Sequence, residues 1–333
     1  MTAPTRIGSR TAGVDVAVYT RSRQWTAFAR ETCAGLETDP ETEDVRVTVE
    51  ENRSRFSHEH MQPLTRGAWS DGSVVVMEDA CASGVDLRVR VAGERLEVTA
   101  RHRPGWSTRA LARAAPGRGT LLLRSAIVQY PALWWAGVAG AVPLHVSGVR
   151  IGGQDVVLAG PGGVGKSTLL EGAVASGGLP VSDNLCVGDG VSVHGLLEPV
   201  RSDGGAGRRM PHGRRESPWV QRLDGLTVER ILVLRRGTGL RAVVTPMHPA
   251  SAARVLTAGT YAAGELRRYW AFAATLALGT GLGPAHPPLA QVAEQLCRSV
   301  PCVDVLLPST PGTRVVDLLA EARLQVAELE HGQ

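Results

Sequence analysis

Lysine is almost missing from this chain. Lys and Arg together number 36 in 333 residues, yet only Lys166 is a lysine. With no lysine-rich tract and a net charge of only +4, nucleic acid is not expected as a partner, although a phosphate-rich ligand is compatible with the charge. The five cysteines, Cys33, Cys81, Cys186, Cys297 and Cys302, form no C-x-x-C pair. That absence argues against a zinc site and a disulfide framework, and suits a reducing cytoplasm. An uncharged apolar run of about 18 residues, the mark of a membrane span, is also missing. Ala126 to Gly148 comes nearest, but Pro131, Pro143, His145 and several glycines fit a buried helix followed by a strand. Met1 to Arg10 is polar and has no signal-peptide apolar core, so the expectation is a cytoplasmic protein away from membranes. Internal repeats and low-complexity tracts are absent as well.

The one retained lysine stands inside Gly160-Pro161-Gly162-Gly163-Val164-Gly165-Lys166-Ser167-Thr168, a full match to G-x-x-x-x-G-K-[ST]. Lysine is a compact point charge on a flexible stem, whereas the planar arginine fork does not fold into so small a loop. The surroundings agree with the motif. Val156 to Ala159 reads as a buried strand, and Thr168 to Ala175, apolar at Leu169, Leu170, Ala173 and Val174, reads as a helix. Glycines 160, 162, 163 and 165 permit close backbone approach, so successive N–H groups at the helix start can face one anion. The loop residues Gly160 to Thr168, Val164 included, are thus expected to cradle ATP. Lys166 would meet the β and γ phosphates, and the Ser167 hydroxyl would ligate Mg2+.

Around this motif the chain predicts two domains. Residues 13–20 and 73–77 are Val-rich runs, and 86–100 alternate apolar and charged residues about a Gly-Glu turn, a hairpin pattern. Residues 101–119, rich in Arg, Pro and Gly, read as a linker. The expected division is an α+β domain of unknown role over 1–120 and a phosphate-loop domain over 121–333. In the latter the spacing predicts a helix over 120–140 and strands over 143–151, 155–160, 179–187 and 190–198. A strand pair follows at 231–234 and 240–245, then helices over 249–280 and 286–299 and a last strand over 302–307. Helices mixed with strands around such a loop indicate an α/β core.

A second magnesium ligand from an apolar strand ending in Asp is not found. Ile231 to Leu234 ends in Arg235 and Arg236, and Cys302 to Leu307 ends in Pro308. Asp183, seventeen residues after Lys166, follows a short run and precedes Asn184. Here the chain resembles the HPr kinase/phosphorylase family and its kinase-like relatives, over roughly residues 125–260. That family carries an Asp-Asp pair on the strand after the loop helix, where this chain has Ser182-Asp183-Asn184, and a histidine before the loop, where this chain has His145 in Pro143 to Gly148.

The resemblance implies a P-loop core of HPr-kinase type, a mixed central sheet flanked by helices. It implies a kinase moving the γ-phosphoryl of ATP to a hydroxyl, with Asp183 as base, His145 beside it, and Asp183 also near the metal. Glu198 is the candidate for a further magnesium ligand. Asn184 departs from the family pair and puts its reverse reaction in doubt. The loop Gly204 to Arg215 carries Gly204, Gly205, Gly207 and Gly213 with Arg208, Arg209, His212, Arg214 and Arg215, and is expected to close over the nucleotide, with Arg208 and Arg215 on its phosphates. The expected acceptor is a small molecule, amino acid or peptide. A nucleotide-hydrolysing or nucleotide-sensing regulator without an acceptor is the alternative. Family relatives form oligomers, which allows a homo-oligomer, but no local feature specifies an interface.

Overall fold

The computed structural model describes residues 3–34, 37–38, 43–202, 207–210, 213–309 and 312–331. Of the arginine-rich loop, Gly204, Gly205 and His212 lie outside the described residues. The architecture is mixed α/β, and contacts divide the chain into two compact units. The first comprises Met1–Gly140, Asp203–Trp219 and Glu265–Pro287; the second comprises Ala141–Ser202, Val220–Gly264 and Pro288–Gln333. The boundary expected near residue 120 falls inside the first unit, within the helix Pro116–Arg124.

The first unit is built on a nine-stranded sheet. Its centre is Val45–Glu50 beside Arg95–His102, which forms a hairpin with Val85–Ala92. Alternate burial along Val45–Glu50 follows the two-residue period of a strand with one covered face. The hairpin turns at Gly93 and Glu94, as its alternation predicts. Residues 101–119 do not form the expected linker. Helices Trp106–Ala114 and Pro116–Arg124 occupy most of them. Alanine, leucine and arginine favour the helix there, and Pro116 opens the second one, where its missing N–H costs nothing. Trp106–Ala114 buries none of its residues, and its apolar positions, Trp106, Ala110, Leu111 and Ala114, are set among Arg109 and Arg113 in an Arg- and Pro-rich stretch that reads as a loop.

The second unit holds a six-stranded sheet. Its elements are β1 (Val146–Ile151), β2 (Gln154–Ala159), α1 (Lys166–Ala175), β3 (Leu179–Ser182), β4 (Arg230–Arg236), β5 (Val243–Pro246), α2 (Pro249–Ala262), α3 (Leu289–Ser299), β6 (Cys302–Leu307) and α4 (Val315–His331). The sheet order is β3-β1-β2-β4-β6-β5. Val156 to Ala159 and Ile231 to Leu234 are wholly buried, as central strands covered on both faces must be. The two strands expected to pair at 231–234 and 240–245 are not partners, since β6 lies between them. The helix expected over 249–280 is two helices, α2 and Arg267–Thr280, broken around Gly264 and divided between the units.

Pairing directions decide where the sheet's ends lie. β1 is antiparallel to both β2 and β3, and β2, β4 and β6 are mutually parallel. β2, β3, β4 and β6 therefore all finish at one edge. In open α/β sheets ligands bind outside the carboxyl ends of strands.

Candidate functional site

Two segments expected as single strands each leave one sheet and join another. Val142–Leu144 pairs with Cys186–Gly188 in a four-stranded sheet, and after His145 the chain enters β1 of the six-stranded sheet. In the reverse sense β3 ends at Ser182, and after Asp183, Asn184 and Leu185 the chain resumes as Cys186–Gly188. Both crossovers occur side by side. His145 Nε2 and Asn184 Oδ1 are 2.9 Å apart, and because an amide oxygen only accepts, the ring Nε2 carries the proton. Ser147 Oγ donates to the Asp183 carbonyl. The His145 amide donates to Thr260 Oγ1 on α2 at 2.9 Å, which fixes the histidine from its other side.

A chain leaving a sheet forfeits ladder partners, and its buried N–H groups must be met otherwise. Glu198 meets them. Its Oε1 accepts from Ser182 Oγ, from the Asn184 amide and from the Leu185 amide, each at 2.9 Å. Its Oε2 accepts from Arg201 Nη2 at 3.3 Å. Burial raises the Glu198 carboxyl above its usual range, and the charge of nearby Asp183 adds to this, while Arg201 and the bonds from Leu185 and Ser182 oppose it. Arg222 is buried in the same neighbourhood and donates to the Leu196 carbonyl at 3.1 Å. Burial brings its pKa down to about 10 against the pull of Glu198, Asp224 and Cys186, so it stays a cation at neutral pH. Asp183 is 1% exposed and Asn184 8%.

The glycine loop connects β2 to α1. A Cβ on Gly160 would sit 2.7 Å from the Leu234 carbonyl at φ +143°, so that position admits only glycine. Gly165 caps α1 at φ +119°, with no side-chain oxygen to compete with an anion for the first-turn amides. Lys166 Nζ donates to the Gly160 carbonyl at 2.8 Å and to the Pro161 carbonyl at 3.3 Å, which holds the charge against the loop's own backbone. Ser167 and Thr168 follow in the first turn of α1.

Register relates the loop to the acid. Val146 is opposite Ala159, and Gly148 is opposite Ser182. Hence Gly160 follows the end of β2, His145 precedes the start of β1, and Asp183 follows the end of β3, all at one edge. Two strand spacings, about 10 Å of backbone, separate the loop strand from the Asp183 strand.

Among the residues expected to bind phosphate, Arg208 and Arg215 belong to the first unit. Arg208 donates to Thr120 Oγ1 at 2.8 Å and to Glu31 Oε2 at 3.0 Å; Arg215 donates to the Gly207 carbonyl at 2.8 Å. Residues that sequence reasoning passed over are Ser147, Ser182, Arg222 and Thr260. No spacing rule joins a lone hydroxyl or arginine to a site, and each becomes visible only through its partner. Among the described residues no group of three or more His, Cys, Asp and Glu side chains could hold a metal. No described helix is long and apolar enough to cross a membrane.

No family profile matches this chain, and no curated protein matches it. Among solved structures, it is similar to the structure of the Hpr(Ser) kinase/phosphatase from Coxiella burnetii at 12% identity, over 57% of this chain and 92% of that one, with a TM-score of 0.28. A likeness at that level carries no argument here.

Proposed function

We propose that this chain is a kinase that uses ATP and magnesium to phosphorylate a hydroxyl on a small molecule, amino acid or peptide, within a core of HPr-kinase type. The observation that carries the reading is the sheet order that brings the ends of β2 and β3 to one edge, with the Lys166 loop on the first and Asp183 on the second. In this reading the loop amides and Lys166 hold the β and γ phosphates, Lys166 exchanging its contacts with Gly160 and Pro161 for phosphate oxygens. Asp183 accepts the proton of the attacking hydroxyl. Phosphoryl transfer is mostly placement and charge neutralisation, so one carboxylate in reach of the acceptor and a few cationic donors suffice.

Magnesium usually keeps several waters and takes one or two protein oxygens, and Ser167 with Asp183 fits that donor set. Bound there, the ion would neutralise charge on the transferring group. Glu198 does not fit: one of its oxygens accepts three donors and the other faces Arg201. We read it as the residue that holds the turn presenting Asp183, in place of the metal role expected of it. His145, bound to Asn184, orients that same turn. Arg208 would have to release Glu31 and Thr120 before meeting a phosphate, and the reading assigns it no step.

The depth of Asp183, 1% exposed, favours a second reading, in which the nucleotide drives a conformational change and no acceptor enters. Incubation with γ-labelled ATP and a broad panel of hydroxyl compounds separates the two. Label on an acceptor, absent in Lys166→Ala, is the expected result. Label found only as free phosphate across the panel overturns the kinase reading and favours the second.

A further inference from the structure

The glycine loop has two flanks. On one, across β1, β3 leads into Asp183; on the other, β4 lies directly beside β2 and ends in Arg235 and Arg236. If the terminal phosphoryl group faces Asp183, as proposed above, a nucleotide laid across the loop has its nucleoside end on the β4 side. The two arginines there are not equivalent. Arg235 is held by both oxygens of Asp304 on the neighbouring β6. Arg236 is exposed and has no carboxylate partner among the described residues. Its guanidinium stands against the loop itself: a methyl group on Gly165 would lie 3.4 Å from Arg236 Nη2 and 3.9 Å from its Cζ.

Beyond Arg236 the same edge opens into a cleft of about 600 Å3, lined in part by Leu240, Arg241, Pro308, Thr313 and Glu321. It sits at the end of β6, because Val243 is opposite Leu306 and the Gly237 amide donates to the Leu307 carbonyl at 2.8 Å. That volume is within the range of small-ligand clefts, about 300–1,000 Å3. Leu240, 84% exposed, offers apolar surface, and the carboxylates Asp317, held by Arg314, and Glu321 line the same cleft, Glu321 as an acceptor for ribose hydroxyls. Arg236 does not line the cleft, but its planar cation stands between the Gly165 turn of the loop and the segment that leads to Leu240, where it is suited to lie against the face of a base.

We infer that Arg236 is a binding residue for the nucleoside end of the nucleotide, its guanidinium stacked on the base, with the cleft beside Leu240 receiving the base and ribose. The inference rests on the reading of the loop as a nucleotide site. Calorimetric titration of the full chain with ATP and with inorganic tripolyphosphate, which has no nucleoside, tests it. Wild type is expected to bind both. Arg236→Ala is expected to weaken ATP about tenfold and to leave tripolyphosphate unchanged, and Leu240→Asp to do the same in smaller measure. Equal weakening of both ligands by Arg236→Ala, or of neither, overturns the inference while the loop reading stands. A wild-type protein that binds neither ligand removes the loop reading, and this inference with it. Arg236 and Leu240 are both exposed, so the variants are expected to melt as wild type does.

Discussion

In the nine-stranded sheet, Arg90 faces Glu97 across one hairpin and Arg101 reaches Glu50 on the next strand, with water at hand; Arg90 is 55% exposed. In the second unit, Glu198 and Arg222 are both 5% exposed and shut in with His145, Asp183 and Asn184. The first kind of pair costs little to form and adds little, because solvent screens it. The second kind is expensive, since each charge loses its hydration and must be met by protein groups. The first unit has its own buried pair, Arg124 with Glu216 at 3.2 Å, which serves as an internal control for a purely structural one.

The largest expected effect is on transfer. Asp183→Ala should lower phosphorylation of an identified acceptor by about 10²–10⁴-fold while ATP still raises the melting temperature. Equal loss of both would remove the base role and reduce the comparison to one between stable and less stable regions. Next, Glu198→Ala and Arg124→Ala should each cost about 3–5 kcal/mol in denaturant unfolding, because each leaves a buried charge without its counter-charge, a cation beside the Glu198 position and the Glu216 carboxylate beside Arg124. Only the Glu198 variant should also impair transfer in the fraction that remains folded. Matching losses of transfer in both variants would erase the distinction between the units.

A smaller effect is expected at the histidine. Asn184→Asp puts a charge on the acceptor of His145 Nε2, so the imidazolium is favoured and its NMR titration should move up by about one pH unit. The magnesium affinity should not change, since the side chain faces the ring; a tighter magnesium site would place it toward the metal instead. The smallest effect belongs to the first unit. Arg90→Ala should cost no more than about 1 kcal/mol, falling further in salt. A larger cost there would show that exposure does not separate the two kinds of pair.

Glu198 also has a pH signature. Its carboxyl is raised by burial above the unfolded value, so its contribution favours the fold most below that value and declines as pH rises through the folded one. The stability difference between wild type and Glu198→Gln, followed by denaturant unfolding from about pH 4 to about pH 8, should therefore shift in favour of the variant as pH rises. A constant difference would mean that Arg201 and the amides fully offset the burial.

Much of the second unit was legible before folding. The apolar run ending at Ala159, the glycines and Lys166 locate a strand, a tight loop and a helix, because each is a local pattern with its own steric reason. The hairpin over 85–102 was legible in the same way, through two-residue alternation. The helix Trp106–Ala114 was not, since the prolines and glycines on either side of it, Pro104, Gly105, Pro116 and Gly117, read as loop punctuation. The breaks at His145 and at Asp183 to Leu185 were not either. A strand that changes sheets keeps the same apolar composition on both sides, and 143–151 and 179–187 therefore read as unbroken.

Sequence alone determined that a glycine loop stands at the start of a helix, and that an acid, a histidine and an asparagine are available near it in the chain. Those are matters of residue type and short spacing. Tertiary structure decided that the ends of β2, β3, β4 and β6 share an edge, that Glu198 is taken up by the Asn184 and Leu185 amides, and that Arg236 stands against Gly165 while Arg235 is held by Asp304. Strand order and register decide these, and they depend on which residues far apart in the chain find partners, a choice that no local pattern encodes.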